Sequence, residues 1–142
     1  MLNLSEDNIF LRCQAVNKTA AIQIAADALI QSGYVQQSFF QAMIRREQSV
    51  STWLGAGIAL PHCAKEDIGL IIRTGFQIFQ FPDGVSWGDG KVAFIVIAVA
   101  AKYDEHIQVV AEIADLLGDE VKTTLLARAK DKTEFIEQFA KQ

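Results

Sequence analysis

The sequence predicts an α/β protein in which helices cover both faces of a mixed sheet of four or five strands, a three-layer sandwich. The first observation is size, since 142 residues, 51% apolar and 21% charged, suit a single domain over residues 1–142. The second is a continuous apolar run from Val92 to Ala101, which is typical of a central strand covered on both faces. The third is that segments with the apolar spacing of helices lie on both sides of a β-rich middle.

Two helices are predicted in the first third of the chain. The first follows Asn17, whose side chain suits an N-cap, and ends near Gly33. Its buried face is marked by apolar residues at helical spacing: Ile22, Ala25, Ala26 and Leu29. The second helix runs from about Ser38 to Glu47, and its expected buried residues are Phe40, Met43 and Ile44.

The middle of the chain carries strand and turn signals. A connector over 48–53 precedes a glycine-loosened loop over 55–61, which leads into a short extended segment because the residue before a proline avoids the helical region. Residues 68–81 are rich in β-branched and aromatic types and predict a strand. Turns are expected at 82–84 and 88–90, just before the central apolar run.

Three helices are predicted after that run. Asp104 caps the first, which ends at Gly118 and carries an apolar stripe of Ile107, Val110, Ala111, Ala114 and Leu117. The other two have their own stripes, Val121, Leu125 and Ala129 in one and Phe135, Ile136 and Phe139 in the other.

Charge and cysteine content exclude several classes of function. The net charge is −4 and the only basic pair is Arg45 and Arg46, which argues against nucleic acid or anionic membrane as the main partner. Two cysteines do not make a disulfide scaffold. The N-terminus lacks the features of a signal peptide, and the longest apolar run is about half of a membrane span. We therefore expect a cytoplasmic protein that is not itself in the membrane.

The two histidines are the candidates for chemistry. His62 follows two glycines at the end of a predicted strand, where open sheets place functional groups. The alternative interpretation is a surface histidine that has no function. His106 lies in the first turn after the Asp104 cap, where the helix dipole favours a nearby anion, and its alternative is a solvated residue.

Metal and cofactor sites are not expected. The histidines are 44 residues apart, and the chain has no C-x-x-C or H-x-x-x-H pair. Gly55 and Gly57 are followed by Leu60 where a dinucleotide fingerprint needs a third small residue, and no Walker motif occurs. A nucleophilic pair of His62 and Cys63 is disfavoured because neighbours in an extended segment point to opposite faces, so Cys63 is expected to be a packing residue.

Arg46 is the remaining candidate, 16 residues before His62. Its planar guanidinium suits bidentate contact with phosphate oxygens, although an arginine there could also be a solvated charge. With a histidine that titrates near 6.5 when unperturbed, a neutral nucleophile is available at pH 7. Arg46, His62 and His106 together resemble a phosphoryl-handling site, and sequence spacing leaves open whether they meet.

Three segments carry a family resemblance. The residues from Arg46 to His62 resemble the signature of enzyme IIA domains of the bacterial phosphoenolpyruvate-dependent sugar phosphotransferase system, fructose/mannitol class. The segments 79–90 and 104–107 are similar to two further motifs of that class, and the likeness covers essentially the whole chain. A nitrogen-regulatory relative is the nearest competitor.

The resemblance implies a phosphotransferase component. His62 would accept a phosphoryl group on Nε2 from the carrier protein HPr and pass it to a cysteine of an enzyme IIB domain. That domain would phosphorylate a sugar such as fructose or mannitol entering through the membrane IIC unit. Arg46 would match the phosphate-contacting arginine of the family and His106 its second active-site histidine. The family commonly has glycine where this chain has Cys63, and the effect of that difference stays open.

Rival interpretations remain at this point. One is a regulatory phosphoprotein of the same fold, and another is a small-ligand binding module in which both histidines are structural. Trp53 and Phe81 are candidates for an apolar docking surface, with core packing as their alternative. The sequence leaves open which sugar is served, the oligomeric state, and whether the unit is free-standing or part of a longer chain.

Overall fold

A five-stranded mixed sheet forms the centre of the protein in a computed structural model that describes residues 4–102 and 119–141. The strands are β1 (Ile9–Phe10), β2 (Trp53–Gly55), β3 (Ile58–Ala59), β4 (Gly75–Gly88) and β5 (Lys91–Ala100). Their order in the sheet is β1-β4-β5-β3-β2. β1 is parallel to β4 and β3 is parallel to β5, whereas β4 and β5, like β2 and β3, are antiparallel. The predicted α/β class with a mixed sheet is confirmed.

Helices pack on both faces of this sheet. Short 3-10 helices occupy Glu6–Asn8 and Lys65–Leu70. The α-helices of the described residues are α1 (Lys18–Gln31), α2 (Phe39–Ser49), α3 (Glu120–Ala127) and α4 (Lys132–Ala140). None of them has the length and apolar character needed to cross a bilayer.

The central strand β5 supplies both halves of the core. Val96, Ala98 and Ala100 pack into a cluster with buried residues of α1 and α2. The alternate residues Ile95, Ile97 and Val99 pack on the other face with buried residues of α3 and α4. Because successive side chains of a strand point to opposite faces, a continuous apolar run is required here, as the sequence predicted.

The first helix is confirmed together with its buried residues. The second helix is present, but its buried residues differ from those predicted. The side chain of Asn17 accepts a hydrogen bond from the amide of Ala20, which caps α1, and the four predicted apolar residues are buried. In α2, Phe39 is buried and Phe40 is only partly so. Ile44 is also only partly buried, because Phe39, Ala42 and Met43 form the inner face. α2 runs on to Ser49 and shortens the expected connector.

The predicted loop over 55–61 is instead a tight hairpin. β2 and β3 are joined through Ala56 and Gly57, which have φ angles of 52° and 79°. Two successive positive φ angles produce the turn whose twist matches that of paired strands. Asp89 and Gly90, with φ of 54° and 76°, make a second turn of this kind between β4 and β5, as predicted.

Two predictions for the β-rich segment are corrected. The expected strand over 68–81 begins only at Gly75, because residues 65–70 form a 3-10 helix. The turn predicted at 82–84 is absent, since these residues lie within β4, where the pairing register shifts between Gln80 and Val85. Pro82 is compatible with a strand at such a bulge because the ladder is interrupted there.

The last two predicted helices are confirmed as α3 and α4, but the apolar stripe predicted for α3 is largely wrong. Val121 and Leu125 are exposed, whereas Thr123, Leu126 and Ala127 are the buried residues of α3. In α4, Phe135 and Phe139 are buried as expected, and Ile136 packs beside them as a partly buried residue. The helix predicted between Asp104 and Gly118 lies outside the described residues.

Candidate functional site

Strand directions bring several chain segments to one edge of the sheet. β3 is parallel to β5 and antiparallel to β2, so the carboxyl ends of β3 and β5 meet the beginning of β2 at the same edge. His62 follows β3 there. Since α2 ends at Ser49 and its chain enters β2 at Trp53, the last turn of α2 lies at this edge as well. This is the place where open sheets present functional groups.

The imidazole of His62 is oriented by its own backbone. It is half-buried, and Nδ1 lies 2.7 Å from the carbonyl oxygen of Leu60. A carbonyl oxygen can only accept a hydrogen bond, so Nδ1 carries the hydrogen. In the neutral ring the lone pair is then on Nε2. The geometry therefore leaves Nε2 as the basic nitrogen of the neutral ring.

The segment that carries His62 is held from two directions. The amide of Leu60 donates to the carbonyl of Thr52 at 3.0 Å, and the amide of Val99 in β5 donates to the carbonyl of Pro61 at 3.1 Å. Leu60 and Pro61 are buried. His62 therefore projects from a piece of backbone that is fixed by hydrogen bonds on two sides.

Arg46 lies in the last turn of α2 and is half-buried. Its Nη1 donates to the carbonyl oxygen of Val50 at 2.6 Å. That bond uses one of the five N–H groups of a guanidinium. Arg46 is thus anchored by the connector that leads into β2, at the same edge of the sheet as His62.

Sequence reasoning missed the role of Glu47. Its carboxylate is buried and accepts hydrogen bonds from the amide of Thr52 at 2.8 Å and from the hydroxyl of Thr52 at 2.5 Å. Lys18 at the start of α1 places its Nζ 3.7 Å from the same carboxylate. A signal was present in the sequence, because a glutamate in the last turn of a helix opposes the helix dipole and needs a specific partner.

Cys63 is a packing residue, as expected. It is buried in the core cluster formed with α1 and α2. Burial raises the pKa of its thiol to about 11, and the nearby carboxylates of Asp67 and Glu66 add to that rise. The thiol is therefore protonated at neutral pH, which excludes a nucleophilic role beside His62.

The two aromatic candidates for a docking surface differ. Phe81 is 1% exposed and belongs to the core, so the alternative of core packing holds for this residue and the docking hypothesis does not. Trp53 is half-buried, and its Nε1 donates to the carbonyl of Val92 at 3.1 Å. The ammonium group of Lys91 lies 5.5 Å from the centre of the Trp53 ring.

Two further predictions concern His106 and metals. His106 lies outside the described residues, so its predicted place beside His62 stays a prediction. Within residues 4–102 and 119–141, no group of three or more histidine, cysteine or acidic side chains is arranged to hold a metal ion.

Comparison with known proteins decides the family. Residues 3–142 match the family model of the phosphoenolpyruvate-dependent sugar phosphotransferase system, EIIA 2. The chain belongs to this family. The resemblance carried by the segment from Arg46 to His62 is therefore confirmed, and the chain is a phosphotransferase component of the IIA type.

Similar proteins carry related names. A multiphosphoryl transfer protein of Haemophilus influenzae is 43% identical over 135 residues, which are 95% of this chain and 27% of that relative. The chain thus spans about a quarter of its length. The crystal structure of IIA mannitol from Escherichia coli has a TM-score of 0.91 and 37% identity, covering 98% of this chain and all of that one. A complex of enzyme IIA mannitol with phosphorylated enzyme IIB mannitol from Escherichia coli contains a chain with the same TM-score and 36% identity, covering 97% of each chain.

Proposed function

We propose that this IIA-type chain carries a phosphoryl group on His62, taking it from phospho-HPr and passing it to the cysteine of an enzyme IIB domain. The observation that carries the proposal is the 2.7 Å contact between Nδ1 of His62 and the Leu60 carbonyl. It leaves the lone pair on Nε2, so the phosphorylated form would be tele-phosphohistidine. No cofactor is needed, because the phosphoryl group passes directly between side chains.

Both transfers are in-line displacements at phosphorus. In the first, the Nε2 lone pair of His62 forms a bond to phosphorus as the N–P bond of the donor phosphohistidine breaks, and the donor ring recovers its electron pair. In the second, a thiolate of the IIB domain forms an S–P bond as the Nε2–P bond breaks. Each step conserves the phosphoryl group and needs positioning and charge stabilisation more than further covalent chemistry.

Arg46 and His106 are the proposed stabilising groups. The guanidinium of Arg46 lies at the same edge of the sheet as His62 and can contact phosphoryl oxygens through its remaining N–H groups. His106 follows the end of β5 at Ala100 by six residues in sequence, and β5 ends at this edge. We assign it the second active-site position, where it would assist the transfer to the IIB domain.

The names of similar proteins support a proposal about the sugar and the wider assembly. A IIA mannitol chain in complex with phosphorylated IIB mannitol supports a IIB domain as the acceptor. We propose a sugar of the mannitol or fructose kind, bound by a membrane IIC unit and not by this domain. Residues 1–142 would act as one domain on the cytoplasmic side, either free-standing or joined to other phosphotransferase domains.

The test is phosphorylation with purified carriers. The chain is incubated with phosphoenolpyruvate, enzyme I and HPr, and the modified residue is mapped by mass spectrometry. We expect one phosphoryl group on His62, none on the His62→Gln variant, and normal labelling of His106→Gln as the matched control. Label on another residue, or none on the native chain, would contradict the proposal. Adding a IIB domain and sugar separates a transport component from a regulatory phosphoprotein, which would retain its label.

A further inference from the structure

We propose that Glu47 and Thr52 are positioning residues that act as a pair to hold the His62 ring in its reactive tautomer. This inference deepens the proposed function and rests on it. The two residues touch each other through two hydrogen bonds, and Thr52 is linked through Leu60 to the imidazole.

The burial of Glu47 is the first step of the argument. Its side chain is only 4% exposed, and it lies in the last turn of α2, where the helix dipole disfavours a negative charge. A buried carboxylate is costly unless hydrogen bonds and opposite charge compensate it. Thr52 supplies two hydrogen bonds and Lys18 supplies the charge. The carboxylate of Glu47 therefore accepts from both the amide and the hydroxyl of Thr52 and fixes the backbone of Thr52.

The path from Thr52 to the imidazole is the second step. The amide of Leu60 donates to the Thr52 carbonyl at 3.0 Å, and the Leu60 carbonyl accepts from Nδ1 of His62 at 2.7 Å. A displacement of Thr52 would turn the Leu60 peptide and lengthen the contact to Nδ1. Without that acceptor, the Nδ1–H form loses its advantage and the ring also populates the form with hydrogen on Nε2, which cannot attack phosphorus through Nε2.

Two matched pairs of variants test the idea. Thr52→Val removes the hydroxyl at nearly constant shape, and Thr52→Ser keeps it. Glu47→Met removes the acceptor at similar length, whereas Glu47→Gln keeps an amide oxygen for the Thr52 amide and an NH₂ for its hydroxyl oxygen. Glu66→Gln serves as a charge control, because Glu66 is exposed. All variants are made in the chain of 142 residues, and thermal unfolding is recorded for each.

The first readout is the tautomer of His62 in the unphosphorylated chain, measured by ¹⁵N chemical shifts of the imidazole above its titration range. We expect the Nδ1–H form in the native chain, Thr52→Ser, Glu47→Gln and Glu66→Gln, and a mixture of forms in Thr52→Val and Glu47→Met. This measurement needs no HPr, so it decides the positioning role even if the native chain takes up no phosphoryl group and the proposed function fails.

The second readout is phosphoryl uptake from phospho-HPr. We expect kcat to fall about tenfold in Thr52→Val and Glu47→Met, as for the loss of one hydrogen bond to a charged group, while KM is unchanged. Thr52→Ser and Glu47→Gln should stay within about threefold of the native rate. The inference is overturned if the two disruptive variants fold and keep the native tautomer. It is equally overturned if their rates fall with no change in tautomer.

Discussion

Arg46 and Glu47 are neighbours in the last turn of α2, and they bind the same connector at two points rather than each other. The guanidinium of Arg46 donates to the carbonyl of Val50, and the carboxylate of Glu47 accepts from Thr52. One helix end therefore supplies both a cation at the edge of the sheet and an anchor for the backbone that supports His62. We therefore expect the loss of Arg46 and the loss of Glu47 to have different effects.

Loss of Arg46 should slow transfer without removing the acceptor. We expect Arg46→Ala to be phosphorylated on His62 at a rate lower by on the order of a hundredfold, about 3 kcal/mol of barrier height, as for other charge-stabilising donors. Rapid-quench measurement of uptake from phospho-HPr checks this. Arg45→Ala is the control, because Arg45 is exposed and pairs with Asp67 at 3.1 Å. Equal rates in the two variants would make Arg46 a surface charge.

Loss of His106 should separate the two halves of the relay. We expect His106→Ala to accept a phosphoryl group on His62 at close to the native rate. Its transfer to a IIB domain should be slower by about tenfold, the lower end of the range for a lost stabilising or proton-handling group. Single-turnover discharge of the isolated phosphoprotein measures this step. Native discharge kinetics would remove the role assigned to His106.

The thiols should differ in reactivity. With a pKa of about 11, Cys63 is ionised in about one molecule in a thousand at pH 8, and it is also buried. Burial raises the pKa of Cys13 as well, but that residue is only partly buried. We expect iodoacetamide at pH 8 to label Cys13 first, as mapped by mass spectrometry. Faster labelling of Cys63 in the folded chain would contradict its place in the core.

The same thiol should make stability depend on alkaline pH. Its pKa is raised in the folded chain from an ordinary value of 9.0 to about 11, so folding favours the protonated form. The resulting contribution is complete below pH 9.0 and is lost as the pH rises through about 11. Cys63→Ala lacks this titration. We therefore expect the difference in unfolding free energy between the native chain and Cys63→Ala to change over this window and to be constant between pH 7 and 8.

Gly57 should be the more sensitive of two turn glycines. A Cβ at Gly57 would lie 3.1 Å from the side chain of Thr123 and 3.2 Å from that of Phe94, whereas one at Gly90 would meet nothing within 4 Å. Both residues have positive φ, so alanine at either costs about 1 kcal/mol in backbone strain. We expect Gly57→Ala to cost about 1 kcal/mol more than Gly90→Ala in urea unfolding. Equal costs would mean that α3 yields to the added methyl group.

The sequence predicts correctly those parts of the fold that depend on residues close together in the chain. Asn17 caps α1 because the N-cap interaction lies within one turn, and β5 carries an unbroken apolar run because both its faces are covered. The hairpin of β2 and β3 was missed because Ala56, which has no special turn preference, adopts a positive φ there. Strand pairing, and not the residue itself, imposes that conformation.

For the proposed site, the sequence indicates the reactive side chains but not the residues that hold them in place. His62 and Arg46 carry side chains whose reactivity is visible in the sequence, and they lie at one edge of the sheet. The role of Glu47 depends on burial and on a bond to Thr52, which only the folded chain brings about. For Phe81, the sequence leaves core packing and a docking surface both open, because an aromatic residue before a proline gives no indication of its burial; the structure shows core packing.

The indole of Trp53 has a consequence for the behaviour of the molecule in concentrated solution. β3 pairs with β5 only at Ile95 and Val96, so the stretch of β5 before them has no neighbouring strand on that side among the described residues. Trp53 occupies the carbonyl of Val92 there, and Lys91 adds a positive charge beside it. A strand edge with unpaired backbone groups can pair with a strand of a second molecule, whereas an edge whose carbonyl is hydrogen-bonded and which carries a charged side chain resists such pairing. The Trp53 ring thus protects the first residues of β5 from pairing with a second molecule.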